Sequence, residues 1–362
     1  MRDYRFRILL ISILISGLGI LTIYSVRYPY SALIPLPLYI RQIIWVILGL
    51  ISLLLIYRWD VRKLWDIAYI IYAITLILLI MVDILGHIRL GAQRWLKILW
   101  FNFQPSELAK LSSIIVLARY FSQYPFRQIG RKDLGFIRGI IIPLLIILPF
   151  MFLILEQPDL GTTLMLFFIY LSLVYFSGVK RRYIFIFILI LIFISPLLWH
   201  FLKDYQKERL LVFVNPDKDP LGAGYTMLQS KIAIGSGRLF GKGWLGGTQG
   251  QLRFLPEAHT DFIFSSFSEE WGFLGSLVLL WLYYFLIYYG IKISLSADEQ
   301  FVRLLGLGIV ALFFIQIFIN ISMTLGMAPV VGLPLIFFSY GGSSILVSFL
   351  SVGILMNIHK KR

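Results

Sequence analysis

The stretch Phe254-Leu-Pro-Glu-Ala-His-Thr-Asp-Phe-Ile-Phe264 places Glu257, His259 and Asp261 directly before an apolar run that continues to about residue 290. A run of that length crosses about 30 Å of hydrocarbon as a helix rising 1.5 Å per residue. Ionisable groups at the edge of hydrocarbon are expensive to keep, so they invite a functional reading. Their local structure admits a second reading, in which Thr260 and Asp261 cap the helix that starts near Phe262. Working outward, the same apolar pattern recurs along the whole chain.

The 362 residues are 59% hydrophobic and only 14% charged, which excludes an ordinary soluble domain. Ten spans are expected, at roughly 8–25, 38–56, 67–85, 106–121, 139–155, 159–178, 183–201, 262–290, 304–326 and 334–357. The fold class is an all-α polytopic membrane protein with one long structured extracytoplasmic loop, because lipid cannot satisfy exposed backbone polar groups. No room remains for a separate soluble domain, so residues 1–362 read as one transmembrane domain. Met1-Arg-Asp-Tyr-Arg-Phe-Arg7 resembles a signal-peptide n-region. No small-residue cleavage site follows it, so the first span reads as a retained helix.

Cysteine is absent, which removes disulfides, thiolate chemistry and Cys-based metal sites. The four histidines, His87, His200, His259 and His359, lack metal-ligand spacing. The net charge of +15 does not imply nucleic acid, because the basic residues flank hydrophobic spans where lipid and topology explain them. Lys and Arg crowd the two ends and alternate connections, at Arg58, Arg62, Lys63, Arg119, Arg127, Arg131, Lys132, Arg138, Lys180, Arg181 and Arg182. The intervening short loops hold few. Both termini are therefore expected in the cytoplasm and Pro256–Asp261 on the opposite face.

Residues 202–261 form a connection too long to be a simple link. The apolar Leu210–Val214 and the spacing of Tyr225, Leu228 and Ile232 predict a short amphipathic helix, followed by a glycine-rich hairpin. Lys203, Lys207, Arg209, Lys218, Lys231, Arg238, Lys242 and Arg253 make this loop basic. That surface suits a phosphate-bearing lipid, or is simply a solvated polar face.

Charges also fall among the helices. Gln104-Pro-Ser-Glu-Leu-Ala-Lys110 opens the fourth span with Pro105 as a helix start. Glu107 and Lys110 lie three apart on one face, so Glu107 is the local partner for a lysine at membrane depth, in a structural or a binding role. In Glu156-Gln-Pro-Asp-Leu-Gly-Thr162, Asp159 falls in a first helical turn, where the dipole favours a carboxylate. Glu269 and Glu270 lie two turns into the eighth span and need internal partners. Gly326-Met-Ala-Pro-Val-Val-Gly-Leu-Pro-Leu-Ile-Phe-Phe-Ser-Tyr-Gly-Gly-Ser-Ser344 is irregular at membrane depth, so it must line protein or a cavity.

Gln104–Lys110, Glu156–Thr162, the loop from Arg209 to Gly250, Pro256–Phe264 and Pro329–Ser344, in that order among ten spans, resemble the SEDS family (shape, elongation, division and sporulation) of bacterial membrane proteins. Gly243-Trp-Leu-Gly-Gly-Thr-Gln-Gly-Gln-Leu-Arg-Phe-Leu-Pro256 and Met356-Asn-Ile-His359 are more similar to its elongation branch than to its division branch. The resemblance implies a peptidoglycan glycosyltransferase that polymerises lipid II, an undecaprenyl-diphosphate disaccharide-pentapeptide, on the outer face of the bacterial cytoplasmic membrane. It implies partnership with a class B penicillin-binding protein transpeptidase and other elongation-complex membrane proteins. The family's essential Asp corresponds to Asp261, and its charged cavity residues to Glu107, Lys110 and Asp159.

The expected chemistry joins the 4-hydroxyl of an acceptor GlcNAc to the anomeric carbon of a donor MurNAc with inversion. Asp261 is the expected general base. Lys110, Arg209 and Lys231 are candidates for the diphosphate, with a divalent cation (Mg or Mn) as a further aid, and His259 joins the substrate-binding set. The competing readings are a flippase for lipid-linked precursor, which leaves the organised loop without a role, and an inert scaffold.

Overall fold

The computed structural model describes residues 4–28, 36–89, 92–98, 101–124, 134–220 and 222–358. Arg2, Arg127, Arg131, Lys132, His359 and the closing Lys360, Lys361 and Arg362 lie outside them. Thirteen α-helices are present among the described residues. Each expected span overlaps one of them: α1 (Tyr4–Arg27), α2 (Leu38–Arg58), α3 (Lys63–Leu85), α4 (Pro105–Ser122), α5 (Ile142–Glu156), α6 (Leu160–Phe176), α7 (Arg181–Phe201), α11 (Ile263–Leu295), α12 (Gln300–Thr324) and α13 (Gly342–Ile358). Six described helices are long and apolar enough to cross a membrane, and α6 and α13 are shorter apolar helices. The chain is an all-α polytopic membrane protein.

The outer faces fit that class. Leu55, Ile84, Phe152, Phe193 and Phe318 are more than half exposed, as lipid-facing side chains are. Serines on buried helix faces return their hydroxyls to the preceding turn, as Ser12 does to Ile8 O and Ser16 to Ser12 O, both at 2.8 Å. Small residues allow close helix approach. A Cβ at Gly19 would overlap the backbone of Phe338, and one at Gly342 would overlap Trp45.

Two short antiparallel pairings were not anticipated. They join β1 (His87–Arg89), β2 (Ala92–Ile98) and β3 (Phe101–Phe103) in the order β1-β2-β3 between α3 and α4. The long loop also differs from expectation. It contains α8 (Asp204–Val214), α9 (Ala223–Ser236) and the single turn α10 (Thr248–Gln251), with no hairpin among its described residues. On α9 the apolar stripe points outward. Leu228 and Ile232 are exposed, whereas Gly224, Met227, Ser230 and Ala233 are buried. Gly224, Ser230, Ala233 and Met227 pack against protein, and the exposed Leu228 and Ile232 suit the amphipathic helix expected on the leaflet. The last span starts later than expected, because residues 329–341 are non-helical.

Two compact units divide the chain. The first holds Met1–Ser52, Lys203–Tyr289 and Gln316–Phe349, and the second Leu53–Leu202, Gly290–Ile315 and Leu350–Arg362. In the second unit Leu79, Ala109, Phe150, Ile154 and Leu166 form a buried cluster. In the first, Val26, Leu255, Ala258 and Phe262 do so, with Val330 packed against them.

Candidate active site

In the first unit, the segment that carries Asp261 is held by its backbone. Three consecutive carbonyls accept hydrogen bonds from the C-terminal third of the chain. Tyr340 N donates to His259 O at 3.0 Å, Ser339 Oγ to Thr260 O at 2.6 Å, and Asn320 Nδ2 to Asp261 O at 2.9 Å. Irregular backbone at this depth must find partners inside the protein. The non-helical 329–341 segment does so through side-chain amides: Asn320 Nδ2 also reaches Leu333 O at 2.7 Å, Gln316 Nε2 reaches Pro334 O at 2.8 Å, and Gln42 Nε2 reaches Ser339 O at 2.9 Å. Tyr283 donates to Ile336 O at 2.8 Å. Thr260 uses its hydroxyl on Glu257 Oε2 at 2.8 Å.

The same segment makes room for three of the expected site residues. Gly332 has φ of +71°, and a Cβ there would sit 3.4 Å from Asp261 Oδ2. Gly326, at φ +69°, would overlap Lys231 Cε if it carried a side chain. Arg209 borders a small cavity with Val212, Phe213, Ala223, Met227 and Val330. Arg209, Lys231 and Asp261 are thus brought to one irregular strip, residues 326–332. Ser230 fixes the register of α9 by bonding Ser265 Oγ at 2.7 Å and Thr324 O at 2.6 Å, which sets Lys231 over Gly326.

The His259 ring lies between Arg27 and the Tyr340 ring, whose centroid is 5.9 Å away. Arg27 Nη2 is 3.3 Å from its Nδ1 and 3.4 Å from its Nε2. A guanidinium only donates, so the imidazole is the acceptor and is neutral. Its pKa is pushed down to about 4 by burial first and then by the Arg27 charge, with Glu257 opposing.

Within the first unit, the buried carboxylates of α11 tie the loop to the helix. Glu269 accepts from Lys242 Nζ, from Thr248 N at 3.0 Å, from Thr248 Oγ1 at 2.9 Å and from Gln249 N at 3.1 Å. Glu270 accepts from Ser25 Oγ. Lys242, counted among the charges of a basic loop surface, is half of an ion pair whose carboxylate is fully buried. Here α11 is broken at Gly272, with φ +66° and ψ −162°. The loop completes the interrupted ladder: Lys242 N to Glu269 O at 3.0 Å, Gly243 N to Glu270 O at 3.0 Å, Phe273 N to Arg238 O at 2.9 Å and Leu274 N to Leu239 O at 3.1 Å.

In the second unit, Lys110 Nζ lies 2.8 Å from Glu107 Oε1 and both side chains are buried. Pro105 stands at the first turn of α4, as its φ restriction favours. Asp159 is the N-cap of α6, accepting from Thr162 N at 3.1 Å and Thr162 Oγ1 at 2.9 Å, with Gln104 Nε2 at 3.4 Å. Arg94, on β2, donates to Gln157 O at 3.0 Å and to Pro158 O, tying down the turn that presents Asp159.

Arg27, Asn320, Gln42 and Gln316 were not singled out from the sequence. The available signal was a polar residue inside or at the end of an apolar run. Among the described residues, no cluster of three or more His, Asp or Glu side chains is placed to hold a metal ion.

Fold and site together define a polytopic membrane protein with a carboxylate-bearing turn pinned beside a basic loop. The family model for the cell cycle proteins FtsW, RodA and SpoVE matches residues 5–362. The chain belongs to this family. It is 44% identical to the peptidoglycan glycosyltransferase MrdB of Escherichia coli K12 over 293 residues, covering 81% of this chain and 77% of that one. The crystal structure of Thermus thermophilus rod shape determining protein RodA superposes with a TM-score of 0.70 at 28% identity, covering 97% and 95% of the two chains. A chain solved in a peptidoglycan synthase complex that coordinates polymerization and crosslinking gives a TM-score of 0.81 at 30% identity, covering 97% and 96%.

Proposed function

We propose that this chain is a peptidoglycan glycosyltransferase that polymerises lipid II into glycan strands during cell-wall elongation. Its relatives carry that activity in their names, and its full-length likeness to RodA favours the elongation role. The observation that carries the reading is the turn 259–261, whose three carbonyls are each held by a separate donor. Such fixation is what a general base needs if it is to meet a hydroxyl within hydrogen-bond reach.

In this reaction the acceptor 4-hydroxyl attacks the donor anomeric carbon, and Asp261 takes the hydroxyl proton. The new C–O bond forms as the bond to the diphosphate breaks, and the α-linkage becomes β. The leaving diphosphate needs positive charge rather than a proton, so no second carboxylate is required. Lys231 and Arg209, which border the same strip as Asp261, supply that charge. Glu107, Lys110 and Asp159 bind the lipid-linked substrate, as the family resemblance implies. A divalent cation, Mg2+ or Mn2+, would be held chiefly by the diphosphate's oxygens, since Mg2+ at phosphates needs only one or two protein carboxylates; it would supply charge neutralisation.

The site faces the extracytoplasmic side of the bacterial cytoplasmic membrane and both termini face the cytoplasm. A class B penicillin-binding protein transpeptidase is the partner, with other elongation-complex membrane proteins around it. The deciding experiment is synthesis from purified, labelled lipid II. Glycan ladders from wild type and none from Asp261→Asn support the reading. A flippase moves lipid II without forming glycosidic bonds, so a folded wild-type protein that transports lipid II but makes no ladder overturns it.

A further inference from the structure

In the second unit, α5 ends at Glu156 and α6 starts at Leu160, so only Gln157, Pro158 and Asp159 join them. Gln157 and Asp159 are buried. A helix end leaves its last carbonyls without intrahelical partners, and Pro158 has no N–H to give. Buried carbonyls must then find donors elsewhere in the protein. Gln157 N meets Leu153 O at 3.2 Å and Asp159 N meets Ile154 O at 3.1 Å. Gln157 O and Pro158 O are met by Arg94, through Nε at 3.0 Å and through Nη2. The planar guanidinium holds those two N–H groups in a fixed relation, so it clasps two consecutive carbonyls at once.

The sheet that carries Arg94 has a matching irregularity. Gln93 pairs with Ile88 and Trp95 with His87, so β1 advances one residue where β2 advances two. Arg94 is the extra residue of this bulge, and a bulge bends its strand and re-aims a side chain. Its neighbour Gln93 anchors the strand to the end of α3, with Nε2 reaching Val82 O at 2.9 Å and Asp83 O at 3.3 Å. Gln157 Nε2 reaches Leu79 O on the same helix at 3.0 Å, so strand and turn share one support. The turn in its turn places Asp159, whose carboxylate accepts from Thr162 and from Gln104. Gln104 directly precedes α4, the helix of Glu107 and Lys110.

We infer that Arg94 is a positioning residue for substrate binding: from its bulge it holds the 157–158 turn so that Asp159 stays in register with α4. The inference rests on the reading that Asp159, Glu107 and Lys110 bind the lipid-linked substrate, and deepens it by giving the small sheet a role. Arg94 acts through Asp159 and not by touching the substrate. Both of its bonds go to carbonyls of the turn, and losing them frees the backbone that precedes the carboxylate.

The test titrates labelled lipid II onto full-length Asp261→Asn protein in nanodiscs, so that binding is read without turnover, and records thermal unfolding on the same samples. Arg94→Ala should weaken lipid II by about tenfold or more, the range for a lost hydrogen bond to a charged group. Arg94→Lys should lose as much, since one ammonium cannot clasp two carbonyls, and it carries the test should Arg94→Ala fail to fold. Asp159→Asn still caps α6 and should show a similar loss. The double change Arg94→Ala with Asp159→Asn should weaken binding no further than Asp159→Asn alone, because the two act through one another. Tyr72→Phe removes a different tie in this unit, from Tyr72 to Ile146 O at 2.8 Å. It should lower the unfolding temperature and leave lipid II affinity unchanged. The inference is overturned if Asp159→Asn weakens binding while Arg94→Ala does not, if Arg94→Lys restores affinity, if the two losses multiply, or if Tyr72→Phe weakens lipid II equally. Unchanged binding in Asp159→Asn removes the substrate-site reading together with this one. Failure of the glycosyltransferase reading would appear separately, as a wild type that binds lipid II and makes no glycan.

Discussion

At the residue scale, the half-buried Asp261 and the buried Glu107–Lys110 pair give opposite kinds of prediction. Asp261→Asn keeps the backbone clamp, because Asn320, Ser339 and Tyr340 bond to carbonyls and not to the side chain. It should stay folded and lose about 10²–10⁴-fold in polymerisation rate, the range for a general base; activity within tenfold of wild type would remove the assignment. The Glu107–Lys110 pair is different, since breaking one partner leaves a buried charge uncompensated, at about 3–5 kcal/mol. Glu107→Gln should therefore lower thermal stability. The double change Glu107→Gln with Lys110→Met should restore it without restoring lipid II use. Recovery of both would make the pair purely structural.

His259 sets a pH dependence. Its folded pKa, about 4, lies below the ordinary 6.5. A depressed pKa contributes stability that is fully present above 6.5 and is lost as pH falls from there through about 4. The unfolding temperature of wild type should drop between pH 6.5 and 4 by more than that of His259→Asn. The difference corresponds to about 1–3 kcal/mol at most. Parallel pH curves would show that His259 does not govern it.

At the element scale, the broken α11 and the non-helical 329–341 segment are tied down by side chains far away in sequence. Glu269→Ala would leave the Thr248 and Gln249 amides and Lys242 without their acceptor, at about 1–3 kcal/mol per buried group. Limited proteolysis between Lys242 and Thr248 should then be much faster. An unchanged digestion rate would show that the backbone bonds to Glu269 O and Glu270 O suffice. None of this was legible locally. The sequence marks Glu269 and Glu270 as needing partners, but Lys242 and Ser25 are reached only through the fold. On α9 the exposed Leu228 and Ile232 suit a helix lying on a leaflet, but a period of 3.6 does not by itself say which face meets protein.

At the scale of the whole molecule, topology is the open quantity and the lack of native cysteine makes it measurable. Lys218→Cys in the loop should react with a membrane-impermeant maleimide in intact cells. Asp298→Cys, exposed between α11 and α12, should react only after permeabilisation. The reverse pattern would invert the orientation and place Asp261 on the wrong side for lipid II polymerisation.

The sequence alone determined the class, the ten helical segments and the Glu107–Lys110 pairing. Hydrophobic length and i,i+3 spacing are local quantities, and a membrane enforces them strictly. It also marked Asp261 as a charge at the end of an apolar run. Only the tertiary structure decided what holds Asp261, Lys231 and the loop in place. The hydrogen bonds from Asn320, Ser339 and Tyr340, the glycines under Lys231 and Asp261, and the contact between Arg27 and His259 join residues up to hundreds of positions apart. Irregular backbone and buried carboxylates require partners, and chain order does not say where those partners are.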